Sequence, residues 1–228
     1  MEKFTDILKE RFGENEPILV EEILDEFSDI SRQAVYKKID AAMEEGLLAR
    51  YDRGVYYLPT ETRFGASRPS GRQVATKRWL RSGDETIGYV SGFNLANEAG
   101  VSTQVPNTLE ITTNKESARS REVKPFGGWK RITLKRPRRP VNARNVDALR
   151  FLDLVTAEDV SLLEYYEIDA LKRLAAKAGR SMIYVCLDSY PARTAKSVAE
   201  CERLGVFEYE AVVCSEEEID KRSMNREQ

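Results

Sequence analysis

The sequence contains no histidine, and this absence narrows the chemistry expected of the protein. Histidine is the commonest general base in enzymes and the commonest side-chain ligand of metal ions. The sequence also has no Walker-type phosphate loop and no glycine-rich dinucleotide fingerprint. It therefore predicts a protein that is not an enzyme and that uses no cofactor or metal.

Cysteines and long apolar runs are also scarce. The three cysteines, Cys186, Cys201 and Cys214, are widely spaced and odd in number, which favours reduced thiols over a disulfide framework or a zinc site. No apolar run approaches the roughly 18 residues of a membrane span, and no signal peptide precedes Lys3 and Asp6. We expect a cytoplasmic protein with no membrane partner.

Charge is unevenly distributed along the chain, although the formal net charge is only −2. Residues 1–60 carry −6, residues 61–145 carry +10, and residues 146–228 carry −6. Like charges repel one another unless a partner neutralises them. A basic middle between two acidic ends therefore favours contact with an anionic polymer or an acidic partner.

The first 60 residues predict three helices and a hairpin. Apolar residues recur there at helical spacing, and Ser31 and Gly46 supply start and stop signals for the third helix. The order is typical of a winged helix-turn-helix, with the hairpin as the wing. The predicted elements are helices at 2–12, 21–27 and 31–46, an extended piece at 17–20, and a hairpin turning at Asp52-Arg53-Gly54.

The third helix has the pattern of a helix that reads DNA. With Val35, Ile39 and Met43 facing the core, the polar residues of its first two turns face solvent, where a helix in the major groove contacts bases. Glutamine can pair with adenine and lysine with guanine, while arginine suits phosphates. The residues predicted to contact DNA are Arg32, Gln33, Tyr36, Lys37, Lys38, Arg50, Arg53, Arg68 and Arg72. The alternative is an ordinary solvated helix face.

The rest of the chain predicts an α+β fold, in which the winged helix-turn-helix is followed by a mixed α/β C-terminal domain ending in helices. We expect a DNA-binding domain at 1–60, a basic linker with a short helix at 61–84, and a C-terminal domain at 85–228. "TLEITT" and "KRITLK" predict strands, and Thr156 with Asp159 predicts a helix cap. "MIYVCL" is compatible with either a strand or a helix, and the tail from Ser215 should fray.

The run "GYVSGFNLANEAGVSTQVPNTLEITTN", residues 88–114, resembles the antitoxin family of bacterial abortive-infection E (AbiEi-like, type IV) toxin–antitoxin systems. The later "RNVDALRFLDLV" resembles the helix that follows the basic strands of that family, and the similarity extends over most of residues 1–155. The matching residues are Gly88, Tyr89, Ser91, Gly92, Asn97, Gly100, Thr103, Gln104 and Pro106. In the alternative interpretation these residues are scaffolding: Ser91 caps a helix, Gly100 ends it and Pro106 ends a loop.

The resemblance implies a two-part protein. Its N-terminal winged helix would bind inverted repeats in the double-stranded DNA of its own promoter and repress the operon. Its C-terminal part would counter a co-encoded nucleotidyltransferase toxin, often without a stable complex. We expect a monomer or a weak dimer.

A basic face in the middle of the chain is a second candidate site, for nucleic acid or an acidic partner. Alternation in "KRITLKRPRR" places Arg131 and Thr133 on one face of a strand and Ile132 and Leu134 on the other. The residues assigned to this face are Lys130, Arg131, Lys135, Arg136, Arg138 and Arg139.

Two other classes of function remain open at the level of sequence. Glu122 and Lys124 have the Glu-x-Lys spacing of some metal-dependent nucleases, although no upstream aspartate on a buried strand accompanies them. The second is a ligand-responsive winged-helix repressor whose C-terminal half senses a metabolite.

Overall fold

A computed structural model describes residues 2–63, 65–104 and 106–208. The protein is of mixed α+β structure, with helices and several small sheets. Two units are each compact: one contains residues 2–95 and 104–146, and the other contains residues 96–103 and 147–208. Their limits differ from the predicted division into domains at residues 60 and 84, which stays a prediction.

The elements predicted for the first 60 residues are present, with bounds within about two residues of those expected. Gly13 and Gly46, which end the first and third helices, both have positive φ, at 82° and 73°. These elements are α1 (Glu2–Phe12), β1 (Ile18–Leu19), α2 (Val20–Glu26), α3 (Arg32–Glu44), β2 (Ala49–Asp52) and β3 (Val55–Tyr57).

Helix α3 is fixed by its cap and by its apolar stripe. The Ser31 hydroxyl accepts a hydrogen bond from the backbone N–H of Ala34 at 3.3 Å, as a Ser N-cap does. Val35 and Ile39 are fully buried, and Met43 packs at the edge of the same cluster. The stripe predicted for this helix is therefore confirmed, and it determines which face is turned outward.

Strands β2 and β3 form a hairpin whose turn is Arg53-Gly54, with Gly54 at φ 72°. Strand β1 pairs antiparallel with β3, so the small sheet has the order β1-β3-β2. An irregularity in the register between Arg50 and Asp52 bends β2 beside the turn.

The segment after this hairpin, predicted as a linker with a short helix, contains several short elements. The short helix is confirmed, and a capping box at Ser70 and Gln73 begins it. It continues directly into a π-helical turn over Thr76–Leu80. The elements of this segment are β4 (Glu61–Thr62), β5 (Gly65–Ala66), α4 (Gly71–Ala75), β6 (Arg81–Ser82) and β7 (Glu85–Thr86).

A four-stranded sheet follows, with helix α5 (Gly92–Ala99) between its first two strands. The strands are β8 (Gly88–Ser91), β9 (Thr108–Thr113), β10 (Ser120–Val123) and β11 (Arg131–Lys135), in the order β10-β11-β9-β8. Strands β9 and β11 are parallel, while the other pairs are antiparallel. The sequence predicted β9 and β11, whereas β8 and β10 were not predicted.

One face of this sheet forms a core with the preceding segment. Ile111, Ile132 and Leu134 are buried on that face and cluster with Ala75 and Trp79. Because side chains alternate across a strand, Arg131 and Thr133 lie on the opposite face, as predicted.

The second unit is helical beyond residue 146. Its elements are α6 (Val146–Ala157), a 3₁₀ turn (Val160–Leu162), α7 (Tyr165–Ala178), α8 (Arg180–Leu187) and α9 (Ala192–Arg203). Helix α8 shows that the ambiguous "MIYVCL" is helical, and Gly179 at φ 74° separates it from α7.

The helix cap predicted at Thr156 is wrong. Thr156 lies inside α6, where its hydroxyl donates to the carbonyl oxygen of Leu152 and also hydrogen-bonds the hydroxyl of Thr194 at 2.8 Å. Asp159 instead caps the short 3₁₀ turn by accepting from the N–H of Ser161.

Cys186 and Cys201 are buried, and neither forms a disulfide bond within the described residues. Burial raises the pKa of Cys201 to about 12, so this thiol stays protonated and unreactive at neutral pH. Cys214 and the tail from Ser215 lie outside the described residues. Among the described helices, none combines the length and apolarity needed to cross a bilayer.

Candidate nucleic-acid interface

The outer face of α3 presents the side chains that the sequence assigns to base and phosphate contacts. Its apolar stripe is buried, and its polar residues are therefore turned to solvent. Tyr36 is 43% exposed, which is high for an aromatic side chain within a helix. The exposed residues of this face are Arg32, Gln33, Tyr36, Lys37 and Lys38.

Several of these side chains have no partner within the described part of the chain. Arg32, Gln33 and Lys37 make no hydrogen bond, ion pair or ring contact there. Lys38 differs, because its Nζ lies 6.0 Å from the ring centroid of Phe4 on α1. Three side chains with hydrogen-bond donors thus project from the first two turns of α3 and bind no other described residue.

Charge along α3 is polarised. Arg32, Lys37 and Lys38 occupy its first half, whereas Asp40 and Glu44 are exposed in its second half. The N-terminus of a helix also carries the positive end of the helix dipole. Both effects attract an anion to the beginning of α3 and repel it from the end.

The hairpin adds cations beside this helix. Arg53 is exposed at the turn, and Arg50 on β2 is exposed with its Nε donating to the Asp52 carbonyl oxygen at 3.4 Å. Burial raises the pKa of Tyr56 on β3, the charge of Arg50 opposes that rise, and Tyr36 contributes to it. Arg50 stands opposite Tyr56 in the hairpin, and Tyr36 on α3 is near enough to Tyr56 to affect its pKa.

Two more predicted contact residues come from the segment after the hairpin. The guanidinium of Arg68 lies over the ring of Tyr51, 4.9 Å from its centroid, and remains exposed. Tyr51 in turn meets Phe126 edge-on at 6.0 Å. Arg72 is exposed on α4. The fold therefore brings Arg68 to the same hairpin that carries Arg53.

The sheet face that carries the predicted basic residues also carries acidic side chains. Arg131 Nε lies 3.3 Å from a carboxylate oxygen of Glu122, and Lys135 is ion-paired with Glu110. The register explains both pairs. Glu122 and Glu110 each stand opposite Thr133, on the two strands that flank β11.

The remaining basic residues of that set lie at the ends of β11. Lys130 is exposed just before the strand, and Arg136 and Arg138 are exposed just after it. Arg139 is half-buried. Three of these four cations are therefore accessible from solvent.

Three residues of the family-like motif have structural roles in the first unit. Gly88 begins β8 where an added Cβ would lie 2.3 Å from the carbonyl oxygen of Trp79, so only glycine fits. Ser91, expected to cap a helix, ends β8, and its buried hydroxyl accepts from Thr112 at 3.1 Å. Tyr89 is also buried.

The other residues of the motif lie in helix α5 and in the loop that follows it. Gly92 has φ 63° at the start of α5, and an added Cβ would meet the carboxylate of Glu110. Asn97 donates through Nδ2 to the carbonyl oxygen of Ser102 at 3.2 Å, and Gly100 at φ 79° ends the helix, as predicted. The three other matching residues are loop residues, with Thr103 and Gln104 exposed and Pro106 half-buried.

Sequence reasoning did not single out Arg78 as a site residue. Its guanidinium donates from Nη1 to a carboxylate oxygen of Asp52 at 2.8 Å and from Nη2 to the carbonyl oxygen of Arg53 at 2.9 Å. No local sequence signal distinguishes Arg78 from the other arginines of its segment. The contact depends on residues about 25 positions apart that only the tertiary fold brings together.

The residues proposed for a metal-dependent nuclease lie at the margin of the four-stranded sheet. Glu122 is on the edge strand β10, where its side chain is 58% exposed and pairs with Arg131. Within the described residues there is no group of three or more His, Cys, Asp or Glu side chains arranged to hold a metal ion.

Comparison with known proteins yields no relative for this chain. No protein-family model, no curated protein and no solved structure matches it.

Proposed function

We propose that this protein is a non-enzymatic winged-helix DNA-binding protein that acts as the antitoxin and autorepressor of a toxin–antitoxin operon. The observation that carries the DNA-binding part is the outer face of α3. There Arg32, Gln33 and Lys37 project without partners within the described residues, beside a hairpin tipped by the exposed Arg53.

In this proposal α3 enters the major groove with its N-terminal half first. Gln33 and Lys37 face base edges, where an amide matches adenine and an ammonium matches guanine. Arg32 and Lys38 contact phosphates on either side of the groove, and Arg53 contacts the backbone from the hairpin. The acidic second half of α3 stays outside the groove, away from the phosphates.

The net negative charge of residues 1–60 is compatible with this function because part of it is neutralised within the fold. Lys77, which lies outside this range, pairs with Glu22 at 2.7 Å. Asp52 is paired with Arg78. The acidic groups are thus partly compensated, whereas the cations of α3 and the hairpin turn are left to attract an external anion.

The antitoxin part rests on the resemblance of residues 88–114 to abortive-infection E antitoxins and on the cations around β11. The partner in this proposal is a co-encoded nucleotidyltransferase toxin. The roles of Gly88 and Ser91 in the sheet account for part of the motif by structure alone. Arg136 and Arg138, which are exposed, are therefore better candidates for action on the toxin system.

Selection of bound sequences from a random duplex library tests DNA binding without requiring the operator sequence. The wild-type full-length chain should enrich one motif, and that motif should recur as an inverted repeat upstream of its own gene. Gln33→Ala should relax the preference at one A·T position and leave the salt dependence unchanged. Glu44→Gln, at the far end of the same helix, is the matched control and should enrich the wild-type motif. No enrichment by the wild-type chain would refute the proposal.

A further inference from the structure

Arg78 joins the hairpin turn to a different part of the first unit. It binds a side chain and a backbone group of two consecutive hairpin residues, with Nη1 2.8 Å from Asp52 Oδ2 and Nη2 2.9 Å from the Arg53 carbonyl oxygen. Two donors of one planar group thereby fix two acceptors at the turn. The bound acceptor on Arg53 is its carbonyl group, so the Arg53 side chain stays exposed.

Two aromatic rings also contact the guanidinium of Arg78. Its carbon atom lies 5.4 Å from the ring centroid of Trp79 and 5.9 Å from that of Phe126. The two rings are 5.8 Å apart. Because a cation is attracted to an aromatic face, these contacts restrict the Arg78 side chain to the conformation that reaches the hairpin.

The backbone that carries Arg78 is anchored in a core. Arg78 belongs to the π-helical turn over Thr76–Leu80, which closes with a hydrogen bond from the Arg81 N–H to the Thr76 carbonyl oxygen. Such turns are rare and are frequent at functional sites. Trp79 packs with Ile111 and Ile132 of the four-stranded sheet, so the position of Arg78 is set by that sheet.

The Arg78 contacts add support on the β2 side of the hairpin. Strand β3 pairs with both β1 and β2, and the Gly54 carbonyl oxygen accepts the N–H of Val20 at 3.0 Å, so the β3 side of the turn is held by other elements. Strand β2 is an edge strand of only four residues, with a register irregularity before the turn. Burial works to raise the pKa of Asp52, but the N–H of Arg53 and the guanidinium of Arg78 outweigh it and lower the pKa below its ordinary value. Asp52 is therefore ionised at neutral pH and can hold Arg78.

We infer that Arg78 is a positioning residue that fixes the hairpin turn and thereby aims the Arg53 side chain at nucleic acid. The inference rests on the proposed function for its second half, since the target of Arg53 is DNA. It also means that residues 1–60 are an incomplete binding module, because the residue that orients the hairpin lies outside them.

The first experiment measures the hairpin in the full-length chain without DNA. Arg78→Ala should accelerate amide hydrogen exchange across residues 49–57, while exchange in α3 stays as in the wild type. Arg78→Lys keeps the charge but cannot span both acceptors, so it should resemble Arg78→Ala. Arg193→Ala, which removes an exposed cation on α9, is the control for net charge. Unchanged exchange at 49–57 in Arg78→Ala would overturn the inference.

The second experiment measures DNA affinity against salt for single and double variants. Arg53→Ala and Arg78→Ala should each reduce the slope of log affinity against log salt by about one, the value for one lost phosphate contact. The double variant should lose no more DNA affinity than Arg53→Ala alone. By contrast, the effects of Arg78→Ala and Lys37→Ala should multiply to within about twofold. Independent effects of Arg53→Ala and Arg78→Ala would show that Arg78 contacts DNA itself and does not position Arg53.

The two experiments separate this inference from the proposed function. Faster exchange in Arg78→Ala, together with a wild-type chain that binds no duplex, would overturn DNA binding and keep the role of Arg78 in fixing the hairpin. Wild-type exchange rates in Arg78→Ala, together with duplex binding by the wild-type chain, would overturn the role of Arg78 and keep DNA binding.

Discussion

The Nζ atom of Lys77 lies 2.7 Å from a carboxylate oxygen of Glu22, so the segment after the hairpin is ion-paired to helix α2. Both side chains are about three-quarters buried, at 30% and 25% exposure. Glu22 has a second role, because its other oxygen accepts the N–H of Leu19 at 3.0 Å at the start of the helix.

These two roles can be separated by substitution at Glu22. Glu22→Gln keeps an oxygen for the Leu19 N–H but loses the charge, so it should cost about as much unfolding free energy as Lys77→Met, up to about 1 kcal/mol. Glu22→Ala should cost about 1 kcal/mol more because the cap is lost as well. Urea unfolding of the full-length variants gives these values. Equal stability of Glu22→Ala and Glu22→Gln would show that the cap contributes nothing.

Lys37 and Arg53 should affect DNA binding in different ways. Lys37 faces bases in the proposed complex, so Lys37→Ala should weaken binding to the specific site by about 1–3 kcal/mol and leave non-specific duplex binding nearly unchanged. Arg53 faces phosphates, so Arg53→Ala should weaken all sequences alike and flatten the salt dependence. A gel-shift titration at several salt concentrations measures both effects. Wild-type affinity in both variants would count against the assignment of α3 and the hairpin.

Gly88 should be essential for the four-stranded sheet. An alanine Cβ there would lie 2.3 Å from the Trp79 carbonyl oxygen and 2.7 Å from that of Thr112, and backbone atoms cannot move aside cheaply. Gly88→Ala should therefore cost at least about 2 kcal/mol of unfolding free energy.

Gly128→Ala is the control for this substitution. Gly128 has φ 88° but open space around its Cα, so only backbone strain of about 1 kcal/mol is expected. If both variants unfold at the same urea concentration, the close approach at Gly88 does not constrain the sheet.

Glu116 should make stability depend on pH in the acidic range. Its carboxylate accepts the N–H groups of Ser117 and Ala118 at 3.0 Å and pairs with Arg121 at 2.8 Å. The Ala118 N–H, followed by the Arg121 guanidinium, lowers the pKa of Glu116 despite its burial. A lowered folded-state pKa stabilises the protein above the unfolded-state pKa, near 4.3, and that contribution is lost as pH falls through the folded-state value.

Glu116→Gln should accordingly remove part of the loss of stability on acidification. The measurement is the urea midpoint of the wild type and the variant at a series of pH values between about 5 and 3. Glu61→Gln, at an exposed position on β4, is the control and should follow the wild-type curve. A wild-type midpoint with the same pH dependence as Glu116→Gln would contradict this account.

The first 60 residues were predictable because their signals are local. Ser31, Gly46 and Gly54 act through the backbone of their own turns, and the stripe at Val35 and Ile39 needs only helical spacing. The exposure of the candidate residues on α3 was predictable in the same way, because the buried stripe determines which residues face solvent.

The parts that were missed depend on pairing between distant segments. Strand β10 is short and polar at the sheet edge, and β8 begins with glycine, so neither shows a strand pattern by itself. Alternation within β11 predicted the direction of Arg131 correctly. It gave no information on register, and register places Glu122 and Glu110 beside the basic side chains. The contact of Arg78 with Asp52 could not be predicted either, because it also joins segments that are distant in the sequence.

In the proposed antitoxin function, the cations that follow β11 should matter for protection against the toxin. Arg136 and Arg138 are exposed at the strand end, where an anionic partner can reach them. Reversal of the charges of Arg136, Arg138 and Arg139 to glutamate should abolish rescue of cells that express the nucleotidyltransferase toxin. The expected cause is replacement of attraction to the anionic partner by repulsion. The measurement is colony formation under co-expression, with protein levels compared by immunoblot.

Reversal of Arg193 and Lys196, exposed on α9, is the control for net charge and should leave rescue intact. Undiminished rescue by the triple variant would show that this group of cations has no part in countering the toxin.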